Sequence, residues 1–359
     1  VYQAQFNYQQ YGEWQGTILR KGINAQGDVC HDPAPKCAGN WDAAEQLKLQ
    51  TSSRNIWTAL PNIPYKGNWN NWSAEPGTTN SSEITALFDV LQNRVLDYHN
   101  GSSTCSGADG VANGVTDDID GLINFIRGQD YFDYNGNCDL TEYRTWCDIK
   151  DPKTGKCLEG ASMLGDIYHS QIVEVGAPKA NTNFTRNNQE AYWRSIKNYG
   201  TWAKSKKNRG SVMYVGANDG ALHAFATENV GEYSRGQEVW AFVPPFIAAK
   251  LPTIVNKGLD GRLPGRKGGT NAIFGVDGSP VVHDMYIRGL DQTGKWQEGK
   301  SWRTILIIPY GRGGAGFSVL DVTRPILKEG QGPMHMFSIF NDQVPVSYTH
   351  LTLPTNREV

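Results

Sequence analysis

Two acidic loops in the first half of the sequence carry side chains of the kind that bind metal ions. The first covers residues 133–142 and places oxygen donors at its positions 1, 3, 5 and 7, with a further acid at position 10. Calcium takes hard oxygen ligands, and alternating side chains of a tight turn can converge on one ion. The loop therefore predicts a calcium site with the ligands Asp133, Asn135, Asn137, Asp139 and Glu142.

This first loop departs from the EF-hand pattern in three positions. Gly136 stands fourth, Cys138 stands sixth, and the twelfth position, where the EF-hand has its bidentate acid, is Arg144. A calcium site here needs a shortened loop. The alternative interpretation is a surface turn rich in Asn and Asp that binds no ion.

A second acidic loop covers residues 109–120 and is the second choice for the ion. It has acids at positions 1, 9 and 12 and Gly114 at position 6, but Val111 occupies position 3, where a ligand is expected. The backbone carbonyl of position 7 can still bind calcium. The predicted ligands are Asp109, Asn113, Val115, Asp117 and Asp120. A solvated acidic turn is the alternative.

Residue patterns typical of enzymes are missing from the sequence. The glycine-rich run at residues 311–316 lacks the Gly-Lys-Ser/Thr ending of a phosphate loop and predicts a turn. The sequence contains neither a G-x-S-x-G nor an H-E-x-x-H motif, and its seven histidines are scattered. We therefore expect a protein that is not an enzyme, in which His169 and His223 have structural roles.

The composition favours many short strands that position these loops. The 40 glycines, 11 tryptophans, 16 tyrosines and 12 phenylalanines are typical of tight turns and of aromatic rings packed between sheets. The net charge of −2 provides no basic surface for nucleic acid or an anionic membrane. Mean hydropathy is −0.50, and no apolar run approaches the ~20 residues of a membrane span.

Six cysteines fall in loops of the first half of the chain, and they indicate disulfides. They are Cys30, Cys37, Cys105, Cys138, Cys147 and Cys157. No pair has the C-x-x-C spacing of zinc ribbons and redox motifs, although free thiols or a zinc site remain the alternatives. Proximity favours the pairs Cys30–Cys37, Cys147–Cys157 and Cys105–Cys138. An oxidising compartment follows from disulfides.

Periodicity along the chain predicts strands with few helices. Residues 2–19 suit a strand pair, residues 41–45 a short helix, residues 54–58 a strand, and residues 61–82 a surface loop. Apolar residues at helical spacing predict a helix near residues 84–95, more suited to covering the β core than to binding a partner. Later strands are predicted at residues 212–216, 222–225, 239–243, 276–284, 304–308 and 317–322. Strands at this rate suit stacked four-stranded blades.

The two ends of the chain carry further expectations. The chain starts at Val1 with no leader segment, which favours an internal start or a removed leader. Residues 346–359 share no pattern with the rest and resemble the translated reading of an adapter used in DNA library preparation. We therefore expect a native domain over residues 1–345, and no meaning for His350.

Several strings resemble the C-terminal domain of the type IV pilus biogenesis and tip-adhesin family, the PilC/PilY proteins of bacteria. Over residues 1–200 they are Trp-Asp-Ala at 41–43, Arg-Asn-Ile at 54–56, Asn-Phe-Ile-Arg-Gly at 124–128 and Leu-Gly-Asp-Ile-Tyr-His-Ser at 164–170. Further strings lie at residues 214–220, 222–225, 240–244, 276–280 and 320–323. The resemblance covers nearly everything before residue 345.

The resemblance implies a mainly β fold: a modified β-propeller, partial and truncated at the C-terminus, with helical and loop insertions. It also implies an EF-hand-like calcium site tied to pilus extension and retraction, with roles in pilus assembly, surface adhesion and twitching motility. Implied partners are minor pilins at the pilus tip and a host or abiotic surface. The implied location is the cell surface, reached through the periplasm. Arg127-Gly128 continues with Gln129, so integrin-type recognition is not implied.

A second family is the alternative. Residues 221–240 also resemble the tryptophan-docking repeat of pyrroloquinoline-quinone dehydrogenases, which are propeller enzymes. The sequence shows one convincing copy of that repeat and no adjacent cysteine pair beside it. The pilus family is therefore the preferred prediction.

Overall fold

A computed structural model describes most of the chain. The described residues are 1–7, 15–30, 37, 39–50, 54–60, 68–73, 84, 86–87, 117–128, 163–186, 188–254, 272–328 and 330–340. The predicted first calcium loop and the adapter-like residues 346–359 lie outside these ranges. Within them, no helix is both long enough and apolar enough to cross a membrane.

A five-stranded sheet forms the centre of the described structure. Its strands are β4 (Ile56–Trp57), β5 (Val173–Val175), β6 (Val212–Gly216), β7 (Leu222–Ala226) and β8 (Glu238–Phe242). Their order is β4-β8-β7-β6-β5, in which β5 to β8 form an antiparallel meander and β4 pairs in parallel with β8. The strands β4 and β5 are therefore the two edges of one sheet.

A four-stranded antiparallel sheet follows in sequence. It consists of β9 (Val281–Leu290), β10 (Trp296–Pro309), β11 (Gly316–Asp321) and β12 (Met334–Phe340), in the order β12-β11-β10-β9. A short 3-10 turn, Gly311–Gly313, joins β10 to β11, as the glycine-rich run predicts. Gly311 has φ +58, a conformation that glycine adopts without a Cβ penalty.

A small N-terminal sheet and short helices complete the architecture. The strands β1 (Tyr2–Asn7), β2 (Gln15–Arg20) and β3 (Trp41–Asp42) form an antiparallel sheet. The helices are α1 (Ala43–Lys48), α2 (Asp117–Ile126), α3 (Gln189–Ile196), α4 (Tyr199–Ser205) and α5 (Pro245–Ala248). Helix α1 begins where the Asp42 carboxylate accepts hydrogen bonds from the backbone N–H of Ala44 and Glu45.

The central sheet is buried on both faces because other layers pack on each side. Every residue of β6, β7 and β8 is buried. On one face, Tyr214 and Trp240 pack with Leu306 and Leu320 of the four-stranded sheet. The other face packs against the N-terminal sheet and α1, through the side chains Met213, Val215, Phe225, Ile18 and Leu47. Face-to-face stacking of meander sheets is the arrangement of propeller blades, which confirms the mainly β prediction.

Trp240 connects neighbouring blades. Its indole lies against Trp57 and Tyr214, and its Nε1 donates to the carbonyl oxygen of Pro325 at 2.8 Å. The tryptophan-docking likeness of residues 221–240 thus corresponds to blade packing.

The structure corrects two predictions about local structure. Residues 61–82 were predicted to be surface loop, but Trp69, Asn71 and Trp72 are buried, because the Trp69 indole donates to the carbonyl of Pro333 and Trp72 packs in the core. The strand predicted from residue 276 begins at Val281 instead. Residues 276 and 277 bridge two sheets, donating their backbone N–H groups to Ala217 and Tyr310.

Other predictions are confirmed within the described residues. Cys30 and Cys37 form a disulfide. Ile84 and Leu87 are helical and fully buried, and they pack with Phe125 of α2 and Leu251 beside the central sheet. This packing supports the role of a cover on the β core. The remaining four cysteines and most of the predicted helix near residues 84–95 lie outside the described residues.

Candidate functional site

Four charged side chains meet in the interior, where the N-terminal strand β4 joins the central sheet. They are Arg54, Asp219, His223 and Glu238, which are 3%, 4%, 1% and 2% exposed. Arg54 precedes β4, His223 lies on β7, Glu238 begins β8, and Asp219 lies in the turn between β6 and β7. We call these four residues the charge network. Buried charges are costly unless they are paired and hydrogen-bonded.

Arg54 and Glu238 form a bidentate ion pair. Arg54 Nε donates to Glu238 Oε2 at 2.7 Å, and Arg54 Nη2 donates to Glu238 Oε1 at 3.0 Å. This fork-to-fork geometry is the strong form of an arginine–carboxylate contact. The backbone of Glu238 is fixed as well, since Gln50 accepts from its N–H and donates to its carbonyl.

His223 connects the two acids of the network. Its Nδ1 lies 2.7 Å from Glu238 Oε1, and its Nε2 lies 3.0 Å from Asp219 Oδ2. With an acid on each ring nitrogen, both nitrogens are suited to donate, as only a protonated imidazole can. The structural role predicted for His223 is consistent with this placement.

The pKa values follow from these contacts. Burial lowers the pKa of His223, but the charge of Asp219 and hydrogen bonds to both acids outweigh burial and raise it to about 9. Burial raises the pKa of Glu238, but the charge of Arg54 and hydrogen bonds from His223 and Arg54 lower it to about 2. The network is therefore ionised throughout at neutral pH.

Replacing His223 with glutamine should flatten the pH dependence of stability on the alkaline side. The folded pKa of about 9 exceeds the ordinary value of 6.5, so the stabilisation is complete below pH 6.5 and is lost as the pH rises through 9. We expect the free energy of unfolding to fall by on the order of 1 kcal/mol per pH unit in this window in the unmodified chain, and less in the variant. Urea titrations at several pH values measure this difference.

The exposed His283 provides the control for that experiment. Its side chain is 46% exposed on β9, so His283→Gln should retain the alkaline slope of the unmodified chain. Equal slopes for His223→Gln and the unmodified chain would show that His223 is neutral in the folded state.

The charge network also anchors the chain on both sides of the first acidic loop. On the N-terminal side, Arg54 Nη1 donates to the carbonyl of Arg127 at 2.9 Å, and Arg127 Nη2 donates to the carbonyl of Arg54 at 2.7 Å. Arg127 directly follows α2, the helix that begins at Asp117 of the second loop. The end of that helix is therefore fixed to the strand β4.

The same segment is anchored where it returns to the blade. Gly165 donates its N–H to Asp219 Oδ2 at 2.9 Å, and Asn218 Nδ2 donates to Asp166 Oδ2 at 2.7 Å. Burial raises the pKa of Asp166 to about 6; the hydrogen bond from Asn218 opposes this rise, and the charge of Asp219 adds to it. Residues 129–162, which include the first acidic loop, thus connect two points on one network.

Residues just beyond this anchor tie the central sheet to the next blade. The hydroxyl of Ser170 accepts from the N–H of Gly216 at 2.9 Å, and His169 Nδ1 lies 2.7 Å from Asp277 Oδ2. Ser279 Oγ donates to the carbonyl of His169. The string at residues 164–170 therefore links two sheets, which supports the structural role predicted for His169.

The predicted calcium ligands lie mostly outside the described residues. Asp133, Asn135, Asn137, Asp139 and Glu142 of the first loop are all outside, as are Asp109, Asn113 and Val115 of the second. Asp117 and Asp120 are residues of the helix α2. Among the residues that the structure describes, no group of three or more His, Cys, Asp or Glu side chains is arranged to hold a metal ion.

Sequence reasoning did not single out Glu238 or assign a role to Arg54. The available signal was a charged residue within a strand whose other residues are apolar, since Glu238 begins the strand Glu-Val-Trp-Ala-Phe and His223 interrupts Leu-His-Ala-Phe-Ala. A charge in such a strand predicts a buried partner. The partner, Arg54, is 184 residues away.

The fold and the charge network define a class of protein: stacked, mainly antiparallel sheets of the propeller type, with a long inserted segment held by hydrogen bonds to a buried charge network. In this chain the buried charges position the backbone of residues 127 and 165. The chain belongs to the PilY1 beta-propeller domain family, whose model matches residues 164–345, about half of the chain.

Curated relatives agree with this family. The chain is 35% identical over 164 residues to the type IV pilus biogenesis factor PilY1 of Pseudomonas aeruginosa strain PAO1, covering 46% of this chain and 12% of that protein. It is 33% identical over 171 residues to a PilY1 homolog of Xylella fastidiosa strain Temecula1, covering 48% of this chain and 11% of that protein. The matched part is thus a small fraction of each relative.

A solved structure is also similar in sequence. The crystal structure of the Pseudomonas aeruginosa PilY1 C-terminal domain matches with 27% identity, covering 46% of this chain and 25% of that chain, with a TM-score of 0.27.

Proposed function

We propose that this chain is part of a type IV pilus biogenesis factor that acts at the cell surface. In this role it takes part in pilus assembly, control of extension and retraction, surface adhesion and twitching motility, and it works by binding. Its partners are the minor pilins of the pilus tip and a host or abiotic surface. The family match over residues 164–345 carries this proposal, together with the names of the relatives.

Calcium binding by the first acidic loop, residues 133–142, is the regulatory part of the proposal. The donor set of the first loop consists of carboxylate and amide oxygens, which fits calcium's preference for hard ligands. The hydrogen bonds of Arg127 and Gly165 support this idea, because they join both ends of residues 129–162 to residues of the charge network. A change in the conformation of the loop would therefore act on the central sheet. Ion occupancy would thereby alter how the blade presents its surface.

Removing one acid from the calcium-binding loop should weaken calcium binding. We expect Asp133→Ala to reduce the affinity by ~10-fold or more, about 1.4 kcal/mol, because a charged ligand is lost. Asp109→Ala should leave the affinity close to that of the unmodified chain. Isothermal titration calorimetry of the three proteins with calcium measures the difference.

A matched control comes from the N-terminal region. Asp28 is exposed in a turn rich in Asn and Asp, where Asn24 donates to its carboxylate, and Asp28→Ala should not change calcium affinity. If Asp109→Ala lowers the calcium affinity more than Asp133→Ala does, the calcium site lies in the second loop. If neither change weakens binding, both assignments are wrong.

A quinone-dependent dehydrogenase activity would contradict the binding role. Purified parent protein can be reconstituted with pyrroloquinoline quinone and an artificial electron acceptor in the presence of alcohols or sugars. We expect no substrate-dependent reduction of the acceptor. Reduction that depends on both quinone and substrate would replace adhesion with oxidation as the primary role.

A further inference from the structure

A cleft of about 400 Å³ opens between α4, the β9–β10 hairpin and the loop that follows β11. Its volume falls within the ~300–1,000 Å³ typical of small-ligand sites. Six of its lining residues carry the argument: Trp202, Ser205, Lys206, Arg303, Thr323 and Arg324. Trp202 and Ser205 lie in α4 and Lys206 follows it, Arg303 lies in β10, and Thr323 and Arg324 follow β11.

Positive charge exceeds negative charge in this cleft. Arg303 is neutralised and held in place, since its Nη1 donates to Asp321 Oδ2 at 2.7 Å and its Nε donates to Ser301 Oγ at 3.0 Å. Lys206 and Arg324 also line the cleft, and neither forms a side-chain ion pair within the described residues. Two cationic side chains are therefore available for an anion.

The position of Lys206 shows the same imbalance. Burial lowers the pKa of its ammonium group, and the charges of Arg324, Arg209 and Arg303 lower it further, while the charge of Asp321 opposes them. An anion between these groups would remove that repulsion. The second acid at the cleft, Asp291, is engaged in its own turn, where its Oδ1 accepts from Thr293 and from the backbone N–H of Lys295.

An aromatic wall and polar side chains complete the cleft. The half-buried indole of Trp202 is held by Tyr199 and Trp302, with ring centroids 5.3 and 6.3 Å away. Hydroxyl and amide side chains of the cleft are Ser205, Ser301, Thr323, Gln292 and Gln297. A rigid aromatic face beside hydrogen-bonding groups suits a ligand that is apolar on one face and rich in hydroxyls at its edge.

We propose that this cleft binds an acidic carbohydrate of the uronic acid type, with its carboxylate between Lys206 and Arg324 and a sugar ring against Trp202. As an assignment of an adhesive ligand, this inference rests on the proposed function. The binding itself is independent of calcium, since the cleft is built from residues outside both acidic loops. The calcium proposal and the carbohydrate proposal can therefore be disproved independently of each other.

An acidic peptide is the competing ligand, and the cleft favours the sugar. A peptide carboxylate would use Lys206 and Arg324 but leave the indole face of Trp202 without a matching partner. A pyranose ring presents C–H groups to that face and hydroxyls to Ser205 and Thr323 at the same time. The aromatic wall is thus the feature that separates the two ligands.

Calorimetry of the whole chain with three probes tests the proposal. The probes are a galacturonic acid hexamer, the same hexamer as its methyl ester, and poly-L-glutamate. The ester keeps the rings and removes the charge, whereas polyglutamate keeps the charge and removes the rings. We expect the acid hexamer to bind at least ~10-fold more tightly than either of the others, and more weakly as salt increases.

Variants of the cleft sharpen the test. Lys206→Gln combined with Arg324→Gln should weaken hexamer binding at least ~10-fold, and Trp202→Leu should weaken it as well. Lys204→Gln, an exposed lysine of α4 outside the cleft, and Trp193→Leu, an exposed tryptophan of α3, are the matched controls and should bind as the unmodified chain does.

The outcomes are distinct. Tighter binding of the acid hexamer, lost in the cleft variants and kept in the controls, supports the proposal. Equal binding of polyglutamate with no effect of Trp202→Leu overturns it in favour of an acidic peptide. Absence of hexamer binding in a chain that still binds calcium overturns the cleft assignment and leaves the calcium proposal standing.

Discussion

Replacing Glu238 with glutamine is expected to destabilise the chain by roughly 3–5 kcal/mol, the cost of breaking a buried ion pair by removing one partner. The variant keeps the size of the side chain but leaves the guanidinium of Arg54, which is 3% exposed, without its counter-charge. The new amide group also faces the donor nitrogens of Arg54 and His223. The free energy of unfolding from urea titrations measures the loss.

Two comparisons make that result specific to the buried pair. Glu45→Gln removes an acid from the exposed Lys48–Glu45 pair and should cost less than about 1 kcal/mol. The double change Arg54→Met with Glu238→Met should cost less than Glu238→Gln alone, because no buried charge is left unpaired. If Glu238→Gln is as mild as Glu45→Gln, Arg54 and Glu238 are not coupled in the folded protein.

Gly165→Ala should destabilise the chain by about 2–3 kcal/mol, in the range seen when an extra methyl group enters a packed core. A Cβ at this position would lie 2.8 Å from the Cβ and 3.0 Å from the Cα of Asp219. These are atoms of a buried turn that cannot rotate away, and the hydrogen bond from Gly165 to the Asp219 carboxylate requires the close approach.

The matched control for this change is Gly200→Ala in helix α4. No atom lies within 4 Å of a Cβ built there, and alanine is a better helix former than glycine, so this variant should be more stable by roughly 0.5–1 kcal/mol. Thermal or urea unfolding of both variants under one set of conditions gives the comparison. If the Gly165→Ala protein is as stable as the unmodified chain, the turn that contains Asp219 can shift to make room for the methyl group at little cost in free energy.

The sequence predicted the strands well because their signals are local. The runs at residues 212–216 and 222–225, apolar except for His223, flank the turn Asn218-Asp219-Gly220, where Gly220 has φ +98. The short helix predicted at residues 41–45 is likewise present as Ala43–Lys48, with Asp42 as its cap. These features depend on neighbours in sequence, which a single sequence displays.

Local sequence patterns could not predict the charge network or the position of β4 in the central sheet. Arg54 and Glu238 are 184 residues apart, and the parallel pairing of Ile56 with Ala241 leaves no periodic trace in either segment. Similarly, the burial of Trp69 and Trp72 depends on contacts with Pro333 and with the helix α2, in a segment whose composition is typical of a surface loop. Long-range pairing decides these placements, and composition cannot reveal it.

The edge positions of β4 and β5 have a mechanical consequence. The inserted segment leaves the five-stranded sheet from one edge and returns to the opposite edge, so tension between its ends is carried by four strand-to-strand interfaces in series. The shortest of these pairings, two residues of β4 with β8, is also the one that the Arg54–Glu238 ion pair spans, so the buried charges reinforce the interface with the least backbone pairing.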